Sequence, residues 1–107
     1  MRVLIHPRSI TADTELRSRV AEALEDGLGS VLHWLRWVDA YLTDVNGPRG
    51  GPDKRCRVVA HFGAGPVVVE RTGRDPVAAA SAAAARSRRL VLARLKRGRD
   101  RRRRAAA

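Results

Sequence analysis

Lys54-Arg55-Cys56-Arg57-Val58-Val59-Ala60-His61-Phe62 runs into Gly63-Ala64-Gly65-Pro66 and then into Val67-Val68-Val69-Glu70-Arg71. The first nine residues alternate. Cys56, Val58, Ala60 and Phe62 fall on one side; Arg55, Arg57, Val59 and His61 fall on the other. Period-two alternation marks a half-buried strand, and a Gly/Pro-rich tetrapeptide between two such runs marks a hairpin turn. Upstream, residues 44 to 53 (Asp44-Val45-Asn46-Gly47-Pro48-Arg49-Gly50-Gly51-Pro52-Asp53) are dense in turn formers. Before them Trp34 to Thr43 alternates again, with Val38, Ala40 and Leu42 opposed to Trp37, Asp39 and Tyr41. Two consecutive hairpins predict an antiparallel meander.

The flanks supply one more strand and two helices. Arg2-Val3-Leu4-Ile5-His6 reads as a short strand closed by Pro7. Thr11 or Asp13 can cap a helix whose apolar stripe is Leu16, Val20, Ala23, Leu24 and Val31. Gly27 and Gly29 should end or fray it, and its outer face, with Ser18, Glu22, Glu25 and Asp26, is acidic. Downstream, Asp75 is a good N-cap and Pro76 suits the first helical position. The helix that follows should run to about Gly98, with Val77, Ala80, Ala84, Val91 and Leu95 on one side. Arg86, Arg89, Lys96 and Arg97 cluster within about 100° on the opposite side. From Arg99 to Ala107 apolar groups are too few to fold, so residues 99–107 are expected to be a basic disordered tail on a domain of residues 1–98. The order β-α-β-β-β-α predicts an α+β two-layer sandwich: two helices on one face of a mainly antiparallel four-stranded sheet. The open face should then show Trp37, Tyr41, Arg55, Arg57 and His61.

Charge is distributed very unevenly. The 107 residues carry a net +11. Residues 86–104 hold eleven basic side chains against Asp100, a net of +10, whereas residues 1–85 hold eleven basic against ten acidic. Such segregation points to a polyanion partner. No run approaches the ~18 apolar residues of a membrane helix, and the N-terminus is too short for a signal peptide. A soluble cytoplasmic domain is the expectation. Twenty of the 22 basic residues are arginine, which suits bidentate phosphate contacts.

Catalytic and ligand signatures are weak. Cys56 is the single cysteine, which leaves no internal disulfide or cysteine-based zinc site, and it points inward as a small core residue. His6, His33 and His61 are scattered and suggest no metal. No nucleophile–base pair or paired carboxylates stand out, so neither an enzyme nor a small-molecule cofactor is expected. The glycine-rich loop 47–51 lacks the Gly-Lys-Ser/Thr ending of a phosphate-binding loop. It reads as a turn, with Arg49 and Lys54 as auxiliary contacts to the polyanion, RNA contacts if that partner is RNA. Trp37 and Tyr41 could stack on bases but read better as packing.

The segment from Val38 to Val58, above all Leu42-Thr43-Asp44-Val45-Asn46-Gly47-Pro48-Arg49-Gly50-Gly51-Pro52-Asp53-Lys54-Arg55-Cys56-Arg57-Val58, resembles one branch of the ribosome hibernation-promoting factor family. That family includes the ribosome-associated inhibitor and proteins labelled sigma-54 modulation proteins. Asp75-Pro76-Val77-Ala78-Ala79, followed by Arg86 and Arg89, is similar to its last helix. The resemblance spans nearly residues 2–97 and is to the short form. It implies the β-α-β-β-β-α fold and binding to the decoding region of the small ribosomal subunit. There the protein would touch ribosomal RNA and neighbouring ribosomal proteins, cover the mRNA and tRNA sites, and hold ribosomes inactive in starved or stationary cells. The matching RNA-binding positions are Arg86 and Arg89, with Arg88, Arg94, Lys96 and Arg97 as neighbours. The first helix departs from the family by placing Glu25 and Asp26 where basic residues are common, leaving only Arg17 and Arg19 earlier. Two rival readings stand beside this one. One is a general RNA-binding module of the double-stranded-RNA-binding kind; the other is an interaction protein that modulates transcription.

Overall fold

The computed structural model of the chain describes residues 2–45, 53–63 and 65–106. Its elements are β1 (Arg2–Pro7), α1 (Thr14–Leu28), β2 (Trp37–Asp44), β3 (Lys54–His61), β4 (Val67–Gly73) and α2 (Pro76–Ala106). A 3-10 turn, Gly29–Trp34, joins α1 to β2. The strands lie in the order β1-β2-β3-β4. The β1–β2 pair is parallel, as a crossover through a helix requires, and the β2–β3 and β3–β4 pairs are antiparallel. The α+β sandwich with a mainly antiparallel four-stranded sheet is therefore what the chain forms.

Register explains why one face is covered. Ile5, Ala40, Val58 and Val69 are successive partners and form an apolar row across all four strands. Val38, Leu42, Cys56 and Ala60 extend it, all buried. A slip by one residue would turn the whole set to solvent, so the alternation read from the sequence also fixes the pairing. Against this face lie Val20, Leu24 and Leu28 of α1 and Ala79, Ala80, Ala83, Ala84 and Val91 of α2. Ser87 sits buried among them and donates its hydroxyl to the Ala83 carbonyl at 2.8 Å, which satisfies it locally.

Local chemistry sets the helix ends. The Asp13 carboxylate accepts from the Leu16 N–H at 2.8 Å, and Gly29, at φ 56°, closes α1 with its N–H on the Glu25 carbonyl. The Asp75 carboxylate accepts from the Ala78 N–H at 2.8 Å, with Pro76 first in α2. Gly27 has a further role. A Cβ there would lie 2.5 Å from the Ala84 Cβ, so glycine lets the two helices approach across their small residues.

Two boundaries differ from the sequence reading by more than two residues. The strand assigned from Trp34 begins at Trp37, because Gly29–Trp34 coils into the 3-10 turn and buries Val31. The last helix does not stop at Gly98 but continues to Ala106. One glycine costs a helix only about 1 kcal/mol, and the Arg and Ala that follow are strong helix formers. At about 1.5 Å per residue, 31 residues span about 46 Å, against about 27 Å for an eight-residue strand. α2 thus runs past the sheet, and no side chain in residues 99–106 is buried.

Candidate nucleic-acid interface

α2 is amphipathic over the body of the protein, so its buried stripe dictates where its cations go. Ala80, Ala83, Ala84, Ser87 and Val91 pack inward. Arg88, Arg89, Lys96 and Arg97 are exposed, and Arg86 lies half-buried at the flank. Among the described residues none of these five makes an ion pair. Ion pairs among the described residues join His6, Lys54, Arg57 and His61 to Asp39, Asp44, Asp53 and Glu70. Arg88 runs across the C-terminal end of α1, where a Cβ on Gly29 would sit 3.6 Å from its Nε. Beyond the body, Arg99 and Arg101–Arg104 extend the same charge. The result is a cationic ridge on a rigid helix, with its donors facing solvent.

Three other candidate residues are used differently. Arg94 falls one step further along the buried stripe, after Ser87 and Val91. Its Nη1 donates to the Gly65 carbonyl at 3.0 Å, and its guanidinium lies 5.7 Å from the Phe62 ring centre. It clamps the β3–β4 turn, a role that its place on the helical wheel could have signalled. Arg17 turns back to the Ala12 and Ile5 carbonyls, at 3.2 and 3.5 Å. Lys54 bridges Asp53 at 3.0 Å and Asp44 at 3.2 Å; the hydrogen bond to Asp53 leads in raising its pKa above the usual lysine value. Together with the Val45 N–H to Asp53 carbonyl bond, it closes the base of the β2–β3 hairpin. Arg19 is exposed beside Asp13 and Glu15. Arg49 lies outside the described residues.

The open sheet face holds an arrangement that sequence spacing hides. Asp39 on β2 accepts from His6 Nε2 of β1 at 2.8 Å, from His61 Nε2 of β3 at 2.9 Å, and from Trp37 Nε1 at 3.0 Å. Because a carboxylate only accepts, both imidazoles must carry hydrogen on Nε2. Burial alone would raise the Asp39 pKa, but these hydrogen bonds outweigh it and hold the carboxyl below its ordinary value. The rings stack as well: Trp37 on His61 at 4.1 Å, His6 on Tyr41 at 4.7 Å, with Arg8 over Tyr41 at 5.2 Å. Two of the three histidines read as scattered thus converge on one carboxylate and pin three strands together. Trp37 and Tyr41 are partnered within the sheet. Cys56 is fully buried, and burial pushes its thiol up to about 12, so it stays protonated and inert at neutral pH.

Among the described residues no helix is long and apolar enough to cross a membrane, and no group of three or more His, Cys, Asp or Glu is arranged to hold a metal ion. No family model matches the sequence, and no curated protein matches it. Solved structures do. The N-terminal domain of Protein Y from Thermus thermophilus superposes with a TM-score of 0.64 and 22% identity, over 83% of this chain and 91% of that one. A ribosomal subunit interface protein from Coxiella burnetii superposes with a TM-score of 0.72 and 6% identity, over 90% of this chain and 99% of that one. At such low identity the agreement is one of fold, and in fold the chain is similar to both along most of its length.

Proposed function

We propose that this protein is a ribosome hibernation factor that binds the small subunit through ribosomal RNA and inhibits translation by occupying the decoding region. The observation that carries the reading is the unpaired cationic ridge of α2, mounted on a fold similar to that of a ribosomal subunit interface protein. Folded RNA is recognised through its phosphates and its shape, since the deep A-form major groove excludes side chains. A helix with exposed guanidinium groups along it can follow a ridge of phosphates, and the sandwich behind it supplies bulk where mRNA and tRNA would lie. Arg86, Arg88, Arg89, Lys96 and Arg97 are the proposed phosphate contacts. Arg17, Arg94 and Lys54 are instead committed to internal partners, so α2 and its extension carry the binding. Such a factor works in the cytoplasm and needs neither a cofactor nor catalytic chemistry.

Cosedimentation tests the reading. The protein should travel with small subunits and whole ribosomes at about 150 mM salt, and be displaced by tRNA together with mRNA. Binding to free RNA but not to ribosomes under those conditions refutes it and favours the duplex-binding alternative. A pull-down dominated by RNA polymerase refutes it in favour of a transcriptional role.

A further inference from the structure

Trp34 ends the 3-10 turn and is 61% exposed, the most exposed large apolar side chain among the described residues. Beside it on α2 lie Leu92, 40% exposed, and Leu95, half-buried. Together with Lys96, Arg99 and Arg102 these residues line a surface cavity of about 420 Å³. The other tryptophan shows what a committed indole looks like here: Trp37 stacks on His61 and donates its N–H to Asp39. The Trp34 ring has no aromatic partner, and its N–H no acceptor, among the described residues.

The chemistry of the surroundings narrows what could cover it. An apolar protein surface placed here would have to desolvate three cations without pairing them, which is costly. An unpaired nucleotide fits every group present: its base offers a π face to the indole, and its phosphates offer charge to Lys96, Arg99 and Arg102. Aromatic platforms within cationic grooves are how single-stranded nucleic acid is held without sequence preference. We propose that Trp34, backed by Leu92 and Leu95, is a stacking platform for one unpaired nucleotide of RNA, with Lys96, Arg99 and Arg102 on its flanking phosphates. The inference rests on the reading of α2 as an RNA contact and assigns that contact a single-stranded element. It also gives Arg99 and Arg102, in the part of α2 that overhangs the sheet, a defined task.

The test uses the full chain and two probes, an unstructured ten-nucleotide RNA and an inorganic polyphosphate of similar charge. RNA should quench tryptophan fluorescence in the wild type and polyphosphate should not. Trp34→Ala should weaken RNA binding by about ten- to a hundredfold with an unchanged salt slope, as loss of a stacked base without loss of charge requires. Polyphosphate affinity should stay the same, and Trp34→Phe should recover most of the RNA affinity. RNA binding that is indifferent to Trp34→Ala overturns the inference, as does an equal loss for both probes, which would mean that Trp34 merely supports α2. Cosedimentation of the same proteins separates this inference from the ribosomal reading. Trp34-dependent RNA binding without cosedimentation defeats only the latter. Cosedimentation with Trp34-independent RNA binding defeats only the former.

Discussion

Neutralising Arg89 and Arg97 together, as Arg89→Gln/Arg97→Gln, should change how RNA binding depends on salt while leaving the fold alone. Both side chains are exposed on α2 and make no ion pair among the described residues, so they are available to phosphates and the body does not need them. Each phosphate contact contributes about 0.7 to 0.9 to the slope of log affinity against log salt, so losing two lowers the slope by about 1.4 to 1.8. Between 50 and 200 mM salt, a fourfold change, the gap between wild type and variant should therefore narrow by about seven- to twelvefold. Stability should move by no more than about 0.5 kcal/mol, as for other exposed substitutions away from caps and cores. Arg94→Gln is the contrasting control. It removes the bond to the Gly65 carbonyl and the contact over Phe62, and should cost about 1 kcal/mol of stability with little change in slope. Fluorescence anisotropy over a salt series, with thermal melts of the same proteins, reads both quantities. An unchanged slope in the double variant, or a larger drop for Arg94→Gln, would show that the exposed row of α2 is not what meets RNA.

Two further predictions concern the body that presents the ridge. Gly27→Ala adds a Cβ 2.5 Å from that of Ala84. Overpacking of about 1–3 kcal/mol should outweigh the roughly 1 kcal/mol gain in helix propensity, so thermal melting should fall, and adding Ala84→Gly should recover part of the loss. A higher melting temperature for Gly27→Ala would refute the close helix approach. Asp39→Asn should destabilise the sheet at pH 7 by about 1–3 kcal/mol, since three hydrogen bonds to a carboxylate are weakened. The Asp39 pKa is lowered on folding. Its contribution is therefore present above the unfolded value of about 3.9 and disappears as pH falls through the lower folded value. Denaturant unfolding from pH 7 down to about pH 2 should show the two proteins converging in acid, and a pH-independent gap would contradict the assignment.

One of the structural neighbours is named a ribosomal subunit interface protein, but the proposed function stands on a physical feature of this chain. Nearly all the excess positive charge is concentrated in the last quarter of the sequence, and among the described residues the fold neither pairs nor buries most of it. The acidic residues Glu25 and Asp26 of α1 are exposed and form no ion pair with that charge among the described residues. The ridge is therefore available to an external polyanion. The proposed contact is therefore assigned chiefly to α2, in line with the shortage of basic residues on α1.

Features set by near neighbours along the chain were legible in advance. Alternation placed strands over residues 34–43 and 54–62, near the observed Trp37–Asp44 and Lys54–His61, and sorted their faces. Asp75 and one of two candidate caps, Asp13, start the helices. The wheel put Arg86, Arg89, Lys96 and Arg97 outward, of which Arg86 is half-buried at the flank. Each of these depends on a few residues and on a period of 2 or 3.6. The helix running through Gly98 is a local feature that the composition misrepresented: want of apolar side chains argues against a packed segment, not against a run of good helix formers. Other features needed the tertiary structure. That His6 and His61 meet on Asp39 depends on the register of three strands, and their sequence separations of 33 and 22 residues carry no signal of it. That Gly27 faces Ala84, that Arg94 is taken by the β3–β4 turn, and that Trp34 stays uncovered beside Lys96 depend on where two helices settle on the sheet. Pattern along the chain decides which side of an element is apolar; only the packing of distant elements decides which polar and aromatic groups find partners and which are left facing solvent.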